Sequence, residues 1–239
     1  MKRLLASLLC ATTLSLASPS IAADSPAALD AAIEKYIMEH PDVLMKSLRK
    51  YQGRDKISDS QRKLLEKSEG SPVLGNVNGD MTMIVFFDYH CGYCKRFYPV
   101  IASLLEEDKQ LRVIFKELPI LSEDSEVAAR AALAVYFIDK DKYFPFHTAL
   151  MKTNGKFDME KMVSLAKQAG ISEDELTKGM KSERVTKEVT GTRDLAQELD
   201  ISGTPAVIVG QHMVPGAASL EAIKAKIEAA RSEAKSKKG

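Results

Sequence analysis

The sequence has no tryptophan, and only 6% of its 239 residues are aromatic. Thirteen glycines and nine prolines are too few for a collagen-like or largely disordered chain. Charge of one sign is not in excess. Thirty-four Lys and Arg face 33 Asp and Glu, for a formal net charge of +1, which offers no general case for a nucleic-acid partner. The N-terminal apolar stretch, Leu4 to Leu16, falls short of the roughly 20 residues that a spanning helix needs. Cysteine is scarcest in proportion to its importance: there are three, at positions 10, 91 and 94.

What is present begins with a leader. Lys2 and Arg3 precede the apolar stretch, and Ser20-Ile21-Ala22 offers small residues at positions −3 and −1 of a cleavage site. Residues 1–22 are therefore predicted to be an export signal. Its removal takes away Cys10 and two positive charges, leaving a net charge of −1. Cys91 and Cys94 then remain as the only thiols, in an oxidising compartment. A bridge across two residues stabilises little, because stabilisation grows with loop length. So tight a pair is better explained by redox chemistry or metal binding.

The rest is 45% apolar, enough for one full domain and a small extra piece. Residues 23–70 read as an N-terminal helical segment. Leu29, Ile33 and Ile37 recur at four-residue spacing with Tyr36 beside them, a stripe that suits oligomerisation or packing on the main domain. Gly70-Ser71-Pro72 marks the boundary to a main domain over 71–239. There the continuous apolar run Thr82 to Phe87 predicts a strand buried on both faces. Cys91-Gly92-Tyr93-Cys94 follows, then a helix to Glu107 that Pro99 should kink, then a strand over 112–118. Strand, helix, strand implies a parallel pair with a crossover. Residues 122–199 read as an almost wholly helical insertion. Ala206 to Val209 is a short strand with a hairpin partner at 211–214, and Ser219 caps a last helix. The fold class is α/β.

Cys91 at a helix N-terminus would have its thiolate favoured by free N–H groups and the helix dipole. Cys94, one turn further on, could resolve a mixed disulfide formed at Cys91. Gly92 leaves room for an incoming sulfur, Tyr93 offers a ring or hydroxyl, and His90 could stabilise the thiolate if its ring points at Cys91. A structural zinc wants four ligands, so metal as the main role is disfavoured, and no cofactor is expected. Gly203-Thr204-Pro205-Ala206 puts proline before a strand, which a cis peptide would explain. The Thr204 backbone could then pair with an extended substrate.

Phe86 to Cys94, the helical insertion, Phe115-Lys116-Glu117-Leu118-Pro119-Ile120 and Gly203-Thr204-Pro205-Ala206 together resemble the DsbA-like branch of the thioredoxin superfamily. The nearest groups are the suppressor-of-copper-sensitivity C and Com1-like proteins, many of which carry an N-terminal helical extension. The resemblance implies a thioredoxin fold in the periplasm, Cys91 as nucleophile, Cys94 as resolving cysteine, and cis-Pro205 with Thr204 in the substrate groove. It also implies exported protein substrates and a homo-oligomer. Gly92-Tyr93 is similar to the pair in the dimeric isomerase DsbC and departs from the Pro-His of the strong oxidase. The buried acid that the family places six residues before the first cysteine is here Val85, so Asp88 and Glu117 become the candidate proton relays. An isomerase kept reduced by a DsbD-like membrane reductase is favoured. The alternatives are a dithiol oxidase reoxidised by a DsbB-like partner, and a redox-linked peptide-binding chaperone.

Overall fold

The computed structural model describes residues 26–44, 47, 56–66 and 70–236; the expected export signal lies outside them. The chain divides into two compact units, residues 1–49 and 50–239. In the first, helix α1 (Pro26–Glu39) starts on a proline, whose missing N–H costs nothing at a first helical position. Leu29, Ile33 and Tyr36 are each about half exposed along it.

The second unit is built on a five-stranded sheet. Its strands are β1 (Val73–Gly75), β2 (Met81–Phe87), β3 (Leu111–Glu117), β4 (Ala206–Val209) and β5 (His212–Pro215), in the order β1-β3-β2-β4-β5. Strands β2 and β3 are parallel, and the other three pairings are antiparallel. The crossover between β2 and β3 is helix α3 (Gly92–Glu107), which runs through Pro99. Helix α2 (Asp59–Glu66) precedes the sheet. Five helices separate β3 from β4: α4 (Glu123–Ile138), α5 (Lys140–Lys152), α6 (Met159–Gln168), α7 (Glu173–Met180) and α8 (Glu183–Glu198). Helix α9 (Leu220–Ser236) closes the unit.

Strand alternation explains the apolar run of β2. Met83, Val85 and Phe87 enter one core, with Val113, Phe115 and Val207. Ile84 and Phe86 enter the other, with Ile114 and Ile208. The first core is closed by the long face of α3 and by α4 to α9, α8 contributing Val185 and Val189. The second is closed by Leu65 of α2, by Ile57, and by Leu195, Ala196 and Leu199 at the end of α8 and just beyond it.

That second core corrects the expected boundary at residue 70. Ile57 and Leu65 are buried in it, and the Ile57 N–H donates to the Gln211 carbonyl at 2.8 Å. The division falls at 49/50 because these two side chains need the sheet, not a neighbouring helix, to leave water. Strand β1 was not foreseen from the sequence. It is three residues long and ends at Gly75, whose φ of 77° and whose approach to the Leu111 carbonyl exclude a side chain.

Candidate active site

Cys91 is the N-cap of α3, with extended backbone angles, so the helix begins at the next residue. The Cys94 N–H donates to Cys91 Sγ at 3.4 Å, which satisfies one of the helix's free N–H groups with the sulfur itself. The peptide Thr204–Pro205 is cis. It brings the Thr204 carbonyl to Cys91, whose thiol donates to it at 3.1 Å. A carbonyl oxygen has two lone pairs, so this bond leaves it able to accept from an extended substrate as well.

Both cysteines are buried, Cys94 slightly the deeper. Burial in the apolar core pushes the Cys94 thiol pKa well up, because a thiolate there loses its hydration. Cys94 therefore needs help to ionise. Gly92 has open space where a Cβ would stand, apart from the Arg96 side chain. Tyr93 is 62% exposed, and the Arg96 guanidinium lies over its ring at 4.3 Å. His90 Nε2 is 3.8 Å from the Asp124 carboxylate, and its ring meets Phe157 edge-on.

Asp88 is not disposed as a relay. Its buried carboxylate accepts from the backbone N–H groups of His90 (2.7 Å), Ile120 (2.9 Å) and Leu121 (3.1 Å) and from Ser125 Oγ (2.7 Å). Those four donors hold the loop before Cys91 against the β3–α4 loop and the first turn of α4. A carboxylate spent in this way is a clamp.

Lys116 and Glu117 do not form the solvated ion pair that adjacent charges suggest. Both are buried, on opposite faces of β3. Lys116 lies 3.8 Å from Glu188 of α8, and burial pulls its pKa down to about 8. Glu117 Oε1 accepts from the hydroxyls of Tyr89 (2.9 Å) and Tyr143 (3.1 Å), while burial raises its own pKa well above the usual carboxylate range. His147 Nδ1 is 2.9 Å from the Tyr89 hydroxyl. Sequence reading missed Tyr89, Tyr143 and His147. The available signal was the i, i+4 spacing of Tyr143 and His147 on a helix face that also carries Phe146 and Leu150. Polar groups on such a face must find partners inside the protein.

A strand ending in a CxxC at a helix N-terminus, faced by a cis-proline loop, defines a thioredoxin-fold thiol–disulfide oxidoreductase. Residues 82–228 match the DSBA-like thioredoxin domain, and the chain belongs to that family. It is similar to a thioredoxin-like oxidoreductase from Silicibacter pomeroyi, with 35% identity, 74% of this chain and 99% of that chain covered, and a TM-score of 0.68. It is also related to ScsC. A linker-deletion variant of Proteus mirabilis ScsC is 25% identical and covers 90% of this chain and 100% of its own, with a TM-score of 0.71. Disulfide bond formation protein D of Bacillus subtilis is 27% identical over 187 residues, 74% of this chain and 82% of that protein.

Proposed function

We propose that this oxidoreductase is an exported, oligomeric disulfide isomerase acting on folding periplasmic proteins. The reduced Cys91 thiolate attacks a wrong disulfide, and the mixed disulfide either rearranges within the substrate or is released by Cys94. Two catalytic units held together can grip one misfolded chain, which is what rearrangement demands and simple oxidation does not. The observation that carries this reading is the stripe of Leu29, Ile33 and Tyr36. It stays about half exposed on a helix belonging to a unit of its own. The leader over 1–22 supports export, and a DsbD-like membrane reductase would keep the pair reduced.

Refolding of a scrambled multi-disulfide protein tests it. The full chain should restore native pairing, and Leu29→Glu with Ile33→Glu should lose oligomerisation and most of that activity while still exchanging thiols. Native pairing restored equally well by a monomeric variant would remove the link to assembly. Full-length enzyme that only oxidises dithiols would remove the isomerase. The latter is the second reading. It is favoured by the Bacillus subtilis relative, whose name is that of a disulfide bond formation protein. A DsbB-like oxidase would then be the partner.

A further inference from the structure

Thiol–disulfide exchange at this site has an unmet requirement. Cys94 must lose a proton to attack the Cys91–substrate disulfide, and Val85 occupies the place where the family carries a buried acid. Val85, Cys94, His147 and Pro205 line one small cavity of about 10 Å³, closed by Phe97 and Phe115 among others. That volume is on the scale of one water molecule. His147 is fully buried, and its Nε2 has no hydrogen-bond partner. A buried ring nitrogen left unpaired next to a resolving cysteine calls for a reason.

The tautomer follows from the network. The Tyr89 and Tyr143 hydroxyls both donate to Glu117 Oε1. Their oxygens can then only accept from His147 Nδ1, which stands 2.9 Å from Tyr89 and 3.4 Å from Tyr143. Nδ1 therefore carries the hydrogen, and Nε2 offers a lone pair. We infer that His147, backed by Tyr89 and Glu117, is the proton relay that ionises Cys94 through the shared cavity.

The Cys94 proton passes, through one water, to Nε2 of His147. The Nδ1 proton moves to the Tyr89 oxygen, and the Tyr89 hydroxyl proton moves to Glu117, which ends neutral. The Cys94 thiolate attacks Cys91 Sγ, the Cys91–Cys94 disulfide forms, and the substrate leaves as its thiolate. Reduction runs the same protons in reverse. Burial holds the His147 pKa down to about 3, so the ring starts neutral, and it makes Glu117 a better proton acceptor than an exposed carboxylate. The titratable groups around the relay are Tyr98 and Cys94 on α3, Tyr143 on α5, Asp88 beyond β2 and Glu188 on α8. The charges of Asp88 and Glu188 raise the Glu117 pKa further.

This rests on the exchange reading, and one experiment separates the two. Reduced protein is mixed with a symmetrical aromatic disulfide in stopped flow. The first coloured thiolate reports attack by Cys91, and the second reports resolution by Cys94. In the wild-type protein the second rate should level off to a plateau between the Glu117 and Cys94 titrations. In His147→Asn and in Glu117→Gln it should be about 100-fold slower at pH 7, the scale of general-base catalysis. It should then climb tenfold per pH unit without a plateau. A wild-type rate that climbs tenfold per pH unit with no plateau anywhere in the range where the protein stays folded, or variants that keep the plateau, would overturn the relay. Absence of the first phase would overturn the exchange reading and the relay with it. The wild-type profile needs no variant to fold, and Glu117→Gln conserves volume and both tyrosine hydrogen bonds.

Discussion

Two carboxylates near the cysteine pair have opposite duties, and the difference lies in who their partners are. Asp88 has four donors, three of them backbone N–H groups of loops that must stay in place around Cys91. Hydrogen bonds to a charged group contribute about 1.5–3 kcal/mol each, net of the exchange with water. Asp88→Ala should cost at least about 3 kcal/mol of unfolding free energy in urea, while any folded fraction keeps the plateau in Cys94 resolution, its lower edge moved to lower pH because a charge that raises the Glu117 pKa is gone. Loss of the plateau with unchanged stability would reverse that assignment. His147 supplies a stability signature of its own. Its folded pKa of about 3 lies below the ordinary histidine value of about 6.5, so the unfolded chain binds the extra proton between those limits. Its contribution is complete above pH 6.5 and is lost as pH falls toward 3, on the order of 3 kcal/mol by pH 4. Urea titrations at pH 7 and pH 4 should show a steeper loss in the wild type than in His147→Asn. Parallel losses would mean that the ring is not held neutral.

At the scale of elements, β2, α3 and the cis-proline turn act as one device. The strand end delivers Cys91, the helix start supplies N–H groups, and Thr204 presents its carbonyl across the gap. Helix α2 belongs to this unit although it precedes the sheet. Leu65 is wholly buried and Ile57 nearly so, against Ile84, Phe86 and Ile208. A chain beginning at Lys50 should therefore keep the thermal stability of the catalytic unit. One beginning at Ser71 should lose about 3 to 5 kcal/mol, the scale of emptying a core of one or two large aliphatic side chains. Equal melting temperatures for the two truncations would show that α2 is not part of the core.

At the scale of the molecule, the two units do separate jobs. The larger buries two cores on either side of one sheet and holds all the thiol chemistry of the described residues. The smaller keeps an apolar stripe in water, which single surface residues tolerate but a run of them at helical spacing rarely does without a partner. Among the described residues no helix is long and apolar enough to cross a membrane. Under the proposed isomerase reading, rearrangement of a bound substrate belongs to assembled chains, whereas thiol–disulfide exchange needs only the cysteine pair of one chain.

The local chemistry was legible in order along the chain. A run buried on both faces, a CxxC at the start of a helix and a Thr-Pro before a strand are each encoded within a few neighbouring residues, so sequence alone determined the fold class and located the cysteine pair. Strand period puts Lys116 and Glu117 on opposite faces but could not show that both faces bury their charge, which only the packed sheet decides. Nor could it assign α2, whose partners run from Ile84 and Phe86 on β2 to Leu195 and Ile208 far along the chain. The Tyr89, Tyr143, His147 and Glu117 cluster draws on three elements far apart in sequence, and its hydrogen bonds exist only after β3 and α5 meet. Folding decided it, because a polar group's role inside a protein is set by which partners remain once water has gone.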